Sequence, residues 1–129
     1  MRLGAPGRPR PRSSNFELWS WLFMRLSGFL LIVLVLGHLF FVHISTPIEN
    51  VDFDFVAGRW SVPLWRWYDL TMLGLALVHG LNGARVVADD YIHSPGWRLV
   101  TMLVLWSALF LFIIIGAQVI VSFPPSPQA

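Results

Sequence analysis

Apolar stretches separated by short polar, proline-containing breaks dominate the chain. Leu26 to Ile48 runs 23 residues without an Asp, Glu, Lys or Arg, and Leu99 to Phe123 runs 25. A helix needs about 20 residues to cross hydrocarbon, so each run predicts a membrane span. Between them, Arg66, Asp69, His79, Asn82 and Arg85 interrupt a third stretch, yet Leu70 to Leu81 is apolar apart from Thr71 and His79. Pro63 suits the first turn of a helix, where its missing N–H costs nothing. From Pro63 to Asp89 is 27 residues, about 40 Å at 1.5 Å per residue. Arg66 and Arg85 lie near opposite ends of this span, where their stems are expected to snorkel. The pattern therefore predicts three spans, at about 14–45, 63–91 and 95–123.

Local signals set the ends of these helices. Ser14-Asn15-Phe16-Glu17 has the S-x-x-E spacing of a capping box. Thr46-Pro47 is expected to stop the first helix, because a proline ring clashes with the preceding turn. Thr46 to Val62, with Glu49, Asp52 and Asp54, reads as a loop with room for a short interfacial turn. Ser94 as N-cap and Pro95 at the first helical position open the last helix, and Pro124-Pro125 closes it. Residues 1–13, with Arg2, Arg8, Arg10, Arg12 and three prolines, read as a disordered basic tail, and 124–129 as a short C-terminal tail. The apolar run after the basic start is too long for a signal-peptide core, so the tail is expected to remain.

Composition agrees with this plan. The 129 residues are 56% hydrophobic and only 12% charged, about half the charge of a typical soluble domain. With no cysteine, disulfides, thiolate metal sites and iron-sulfur ligation by this chain are excluded. All nine basic residues are Arg. Four precede the first span, Arg59 lies in the first loop, Arg85 and Arg98 flank the second, and none follows the last span. The positive-inside rule places the N-terminus in the cytoplasm. Trp19, Trp21, Trp60, Trp65, Trp67 and Trp97 fall at span ends, where amphipathic rings prefer the headgroup layer, and Trp106 falls inside.

No segment outside the spans is long enough for a flavin, nucleotide or peptidase domain, so any chemistry must come from side chains on the helices. At about 100° per residue, Gly83 lies about 40° from His79, and Val86 and Asp90 about 20°. These residues share one face. An intramembrane imidazole is costly unless its nitrogens find partners, which makes His79 either a metal or haem ligand or one end of a helix-to-helix hydrogen bond. Gly83 one turn away admits a flat macrocycle or another helix. Asp90-Tyr91 closes the helix about 16 Å from His79. A hydrated carboxylate and a phenolic donor there suit proton-coupled reduction of a quinone or plain interfacial anchoring.

His79-x-x-x-Gly83-x-Arg85 followed by Asp90-Tyr91, on the second of three spans, resembles the hydrophobic D-type membrane-anchor subunit of succinate dehydrogenase. The resemblance implies an all-α integral membrane protein that forms part of a helix bundle with a companion anchor subunit. It implies His79 as an axial ligand of b-type haem, with Gly83 beside it and the second ligand on the companion subunit. It also implies Asp90 and Tyr91 at a ubiquinone or menaquinone site. Arg25-Leu26-Ser27-Gly28 looks like the family's segment near the haem propionates and the quinone headgroup, where a guanidinium pairs with carboxylate in a fork; Arg25 as a snorkelling residue is the plainer reading. The implied partners are the flavoprotein and iron-sulfur subunits, and the implied location is the bacterial cytoplasmic membrane.

His38 lies about 20 Å beyond Arg25, a depth near that expected for His79, which leaves open a second ligand within the chain. His43 and His93 lie near span ends and read as interfacial. Two other functions compete: a haem b anchor of another respiratory dehydrogenase, such as formate dehydrogenase or hydrogenase, and a small transporter or assembly subunit in which His79 and Asp90 relay protons.

The Arg asymmetry makes a direct prediction about topology. Single cysteines introduced near Gly96 are expected to label from the cytoplasm, and those near Asp52 from outside. Labelling near Asp52 from the cytoplasm would reverse the orientation.

Overall fold

The computed structural model describes residues 15–124, and every regular element among them is helical. Helix α1 spans Asn15–Leu39, α2 Phe53–Ser61, α3 Pro63–Tyr91 and α4 Pro95–Ser122. The three long helices are each apolar and long enough to cross a membrane. The expected basic tail, the Ser14 cap and the tail beyond Pro124 lie outside the described residues.

The spans do not close into a three-sided bundle. Helix α3 is central, packed against α1 on one side and α4 on the other. Only Val42, Ala57, Ala88, Leu109 and Ile120 are buried apolar residues among those described, whereas Phe29, Leu64, Trp97 and many others are mostly exposed. This is the profile of helices whose outward faces meet lipid or further protein rather than water. Small residues allow the close contacts. A side chain at Gly37 would collide with the Tyr68 hydroxyl, and one at Gly116 with Leu73, the use of glycine expected where helices approach without a hydrophobic driving force between them.

Helix α1 continues past Leu39 as a turn of π-helix, Phe40–Ile44. Pro47 brings no N–H to the last turn. Ser45 instead donates both its backbone N–H and its hydroxyl to Phe40 O at 2.8 Å, and the Thr46 hydroxyl donates to Phe41 O at 3.0 Å. The expected loop from Thr46 to Val62 is largely helical, with a 3-10 turn at Ile48–Asn50 and then α2. Asp52 caps α2 by accepting from Phe55 N–H at 2.9 Å, satisfying one of the free donors of the first turn. Phe53, Val56, Ala57 and Trp60 give this stretch an apolar side that a reading by charge alone passed over.

Helix α2 is fastened to the spans through Asp69. This carboxylate, 6% exposed, accepts from Arg59 Nη2 at 2.6 and 2.8 Å and from Trp60 Nε1 at 2.7 Å. His38 Nδ1 of α1 approaches the same group at 3.3 Å. One carboxylate thus joins α1, α2 and α3. Arg66 is not a snorkelling residue. Its guanidinium donates to Trp60 O at 2.6 Å, Val121 O at 2.6 Å and Phe123 O at 3.0 Å. A cation satisfying the terminal carbonyls of two helices also meets the negative ends of their dipoles.

Removing one partner of a buried pair strands the other charge, at about 3 to 5 kcal/mol. Asp69→Ala is therefore expected to release α2 and open the chain to trypsin at Arg59, which is nearly buried in the native protein at 12% exposure. Asp69→Asn, which keeps the volume and an acceptor, should release it less. Equal protease resistance in all three proteins would show that α2 is held by something else.

Candidate functional site

The antiparallel contact between α1 and α3 is a ladder of polar pairs. Near one end, the Ser20 hydroxyl and Asn82 side chain exchange hydrogen bonds at 2.8 and 3.1 Å, and Arg85 Nε donates to Asn82 Oδ1 at 3.2 Å. Further along, Ser27 Oγ lies 2.8 Å from His79 Nδ1. Beyond that the Tyr68 hydroxyl donates to Leu34 O, and last come His38 and Asp69. Ser20, Ser27, Tyr68, His79 and Asn82 each meet a partner on the facing helix, which lowers the cost of placing polar groups in hydrocarbon.

His79 is the centre of this ladder. Its ring sits against α1 where Gly28 has no side chain, and a Cβ there would lie 3.4 Å from His79 Cε1. Ser27, 3% exposed, is the most enclosed polar residue described. Nδ1 is the ring nitrogen that faces it; Nε2 has no hydrogen bond to any described residue. Gly83, one turn on, would place a Cβ 3.6 Å from Met24 Cε, and a Cβ at Gly80 would meet nothing within 4 Å. Met24 of α1 thus covers Gly83 on the His79 side of α3, while Gly80 opens onto a groove between α3 and α4.

His38 is not at this level. Ser27 faces His79, and His38 stands 11 residues further along α1, about 16 Å at helical rise. It faces Asp69 instead. His38 and His79 are therefore too far apart along the α1–α3 contact to share one metal. Depth counted from Arg25 misled because the register of α1 on α3 is set by the side-chain pairs, which the single-helix count does not contain.

Arg25, expected near the haem propionates, lies exposed with its guanidinium 4.1 Å from the Trp21 ring centroid. Asp90 and Tyr91 end α3 exposed, Tyr91 at 80%, with no hydrogen bond or ion pair to another described residue. Their neighbour Asp89 is the engaged carboxylate. It lies 2.7 Å from Arg98 Nη2 of α4 and 3.8 Å from Arg85 Nη1, and Arg85 in turn lies 3.9 Å from Glu17 of α1. Arg85 is thus held between the three long helices rather than stretched to the interface. His43 and His93 are exposed. Ser94 is the N-cap residue of α4, but its side chain makes no cap bond; its carbonyl accepts from Arg98 N–H at 2.9 Å.

Sequence reasoning missed Ser20, Asn82, Asp69 and Asp89 as partners. The signals were present: amide and hydroxyl groups inside apolar runs, and an acid and a base on either side of the three-residue turn 92–94. Beside the Asn82 cluster a cavity of about 190 Å³ opens between α1 and α4 over α3, walled by Phe16, Phe23, Leu81, Met102 and Trp106.

A family model described as the succinate dehydrogenase/fumarate reductase transmembrane subunit matches residues 7–115. No curated protein matches the chain.

The two neighbouring acids should respond differently to substitution. Asp89→Asn is expected to loosen the α3–α4 turn, by less than about 1 kcal/mol because Asp89 and Arg98 are partly solvated. Asp90→Asn should leave thermal stability unchanged. A fall in melting temperature for Asp90→Asn, with none for Asp89→Asn, would invert the assignment.

Proposed function

The chain belongs to the succinate dehydrogenase/fumarate reductase transmembrane-subunit family, and on that premise we propose that it is a D-type anchor whose His79 ligates b-type haem and whose Asp90 and Tyr91 serve a quinone site. The observation that carries this reading is the state of His79. It sits within a membrane span with Nδ1 engaged by Ser27, Nε2 without a partner among the described residues, and glycine at position 28 against its ring. A fixed imidazole with one nitrogen left to coordinate fits an axial ligand of haem iron. When bound, haem b supplies a one-electron carrier within the membrane. In this reading the second axial ligand comes from a companion anchor subunit, which also covers the apolar faces left open by the row of three helices. The family also favours this function over an anchor for another dehydrogenase or a proton-relay transporter.

Membership in the family makes the chain a multi-pass membrane subunit of a larger complex. In the proposed arrangement the flavoprotein and iron-sulfur subunits dock on the cytoplasmic side of the bacterial inner membrane, and electrons reach the quinone there. Reduction of a quinone takes up two electrons and two protons, so the headgroup needs donors to its carbonyl oxygens and contact with water, while its tail stays in lipid. The exposed end of α3 meets both needs: the Tyr91 hydroxyl is a donor, and the Asp90 carboxylate remains hydrated and able to pass protons. Neither side chain is engaged by another described residue, which fits this task.

Two substitutions in the assembled complex test the reading. His79→Ala should abolish the low-spin haem spectrum or alter it strongly; an unchanged spectrum would remove His79 as ligand. Tyr91→Phe should slow quinone reduction while succinate oxidation with a soluble artificial acceptor persists. Loss of a neutral donor costs about 0.5 to 1.5 kcal/mol, up to about tenfold in rate or affinity. Full quinone turnover in both Tyr91→Phe and Asp90→Asn would reduce the pair to an interfacial anchor.

A further inference from the structure

The hydroxyl of Ser27 has one proton and two close neighbours that compete for it, with Met24 O further off at 3.5 Å. Phe23 O lies at 2.6 Å and His79 Nδ1 at 2.8 Å. A carbonyl oxygen has no hydrogen to give. If the Ser27 proton went to Nδ1, two oxygens would face each other at 2.6 Å with no hydrogen between them, which is repulsive. The proton therefore goes to Phe23 O, and Ser27 Oγ accepts from His79. Nδ1 must then be the protonated nitrogen of the ring, and Nε2 the one with the free lone pair.

We propose that Ser27 is the positioning residue of His79, fixing its tautomer and ring orientation so that Nε2 is held as the donor atom. The inference rests on the reading of His79 as a haem ligand and adds what sets that ligand's strength. Ligating histidines commonly donate their other N–H to a fixed acceptor, which raises the basicity of the coordinating nitrogen. Here the acceptor is a hydroxyl already polarised by its own bond to a carbonyl, so the chain from His79 through Ser27 to Phe23 strengthens itself. Burial keeps water from replacing it: Ser27 is 3% exposed. Gly28 completes the arrangement, since the imidazole ring rests where its side chain would be. With haem bound, an imidazole whose Nδ1 proton is held by Ser27 would donate more electron density to the iron and favour its oxidised state, so the hydrogen bond would hold the midpoint potential below the value His79 alone would give.

The test is a redox titration of the haem in the purified complex, with the electron paramagnetic resonance spectrum of the oxidised state recorded alongside. Ser27→Ala is expected to retain haem, shift the resonance g-values and raise the midpoint potential. A hydrogen bond of about 1 kcal/mol corresponds to roughly a fivefold change in the reduced-to-oxidised ratio, or about 40 mV for one electron. Ser27→Thr, which keeps the hydroxyl, should retain the native potential. Should Ser27→Ala fail to assemble, Ser27→Cys gives the same readout, because a thiol is a weak acceptor. Native potential and g-values in the Ala or Cys variant, together with loss of the low-spin signal in His79→Ala, would overturn the role of Ser27 alone. Retention of that signal in His79→Ala would overturn the ligand reading beneath it. Packing disturbance without an altered imidazole bond would lower stability yet leave the g-values in place.

Discussion

Polar side chains within a bilayer must find their partners inside the protein, and this chain solves that constraint between helices. Its central helix, α3, is the least apolar of the three spans, with Arg66, Asp69, His79, Asn82 and Arg85 along it. Each is engaged by a group elsewhere in the chain. Asn82 meets Ser20, His79 meets Ser27, and Asp69 meets Arg59, Trp60 and His38. In lipid, where apolar packing gains little over solvation by acyl chains, such pairs and the close contacts at Gly37 and Gly116 decide which helix faces fit together.

The same pairs set the depth of every functional group. Because α1 is locked to α3 at Ser20, Leu34 and His38, the imidazole of His79 falls opposite Ser27 and Gly28 and nowhere else. Its ring has one side engaged and one nitrogen free, which a histidine turned to lipid would not have. Asp89, drawn to Arg98 and Arg85, ties down the end of α3 and leaves Asp90 and Tyr91 beyond it on the exposed surface. Structural and exposed acids are adjacent in sequence but point to different neighbours, as a rotation of about 100° per residue requires.

At the opposite end the chain devotes two ionic groups to an element outside the spans. Asp69 draws α2 inward through Arg59 and Trp60, and Arg66 closes the ends of α2 and α4 with three hydrogen bonds. Both ends of α3 are thus cross-linked to neighbouring helices, one through Asp69 and Arg66 and the other through Asn82, Arg85 and Asp89.

By itself, the sequence determined that this is a helical membrane protein with three spans, because span length and apolar composition are properties of a single helix in lipid. It also marked His79 as unusual, since an imidazole far from both span ends is expensive wherever it points. Tertiary structure alone decided what each polar residue does. The order of α1, α3 and α4 in a row, the helical α2 in place of an expected loop, the removal of His38 from the level of His79, and the engagement of Asp89 rather than Asp90 all depend on register between helices. Register comes from pairs such as Ser20 with Asn82, and the two members of that pair are 62 residues apart. No local periodicity encodes which of several serines an asparagine will meet; the answer is the alignment that leaves the fewest polar groups unpaired across the whole contact.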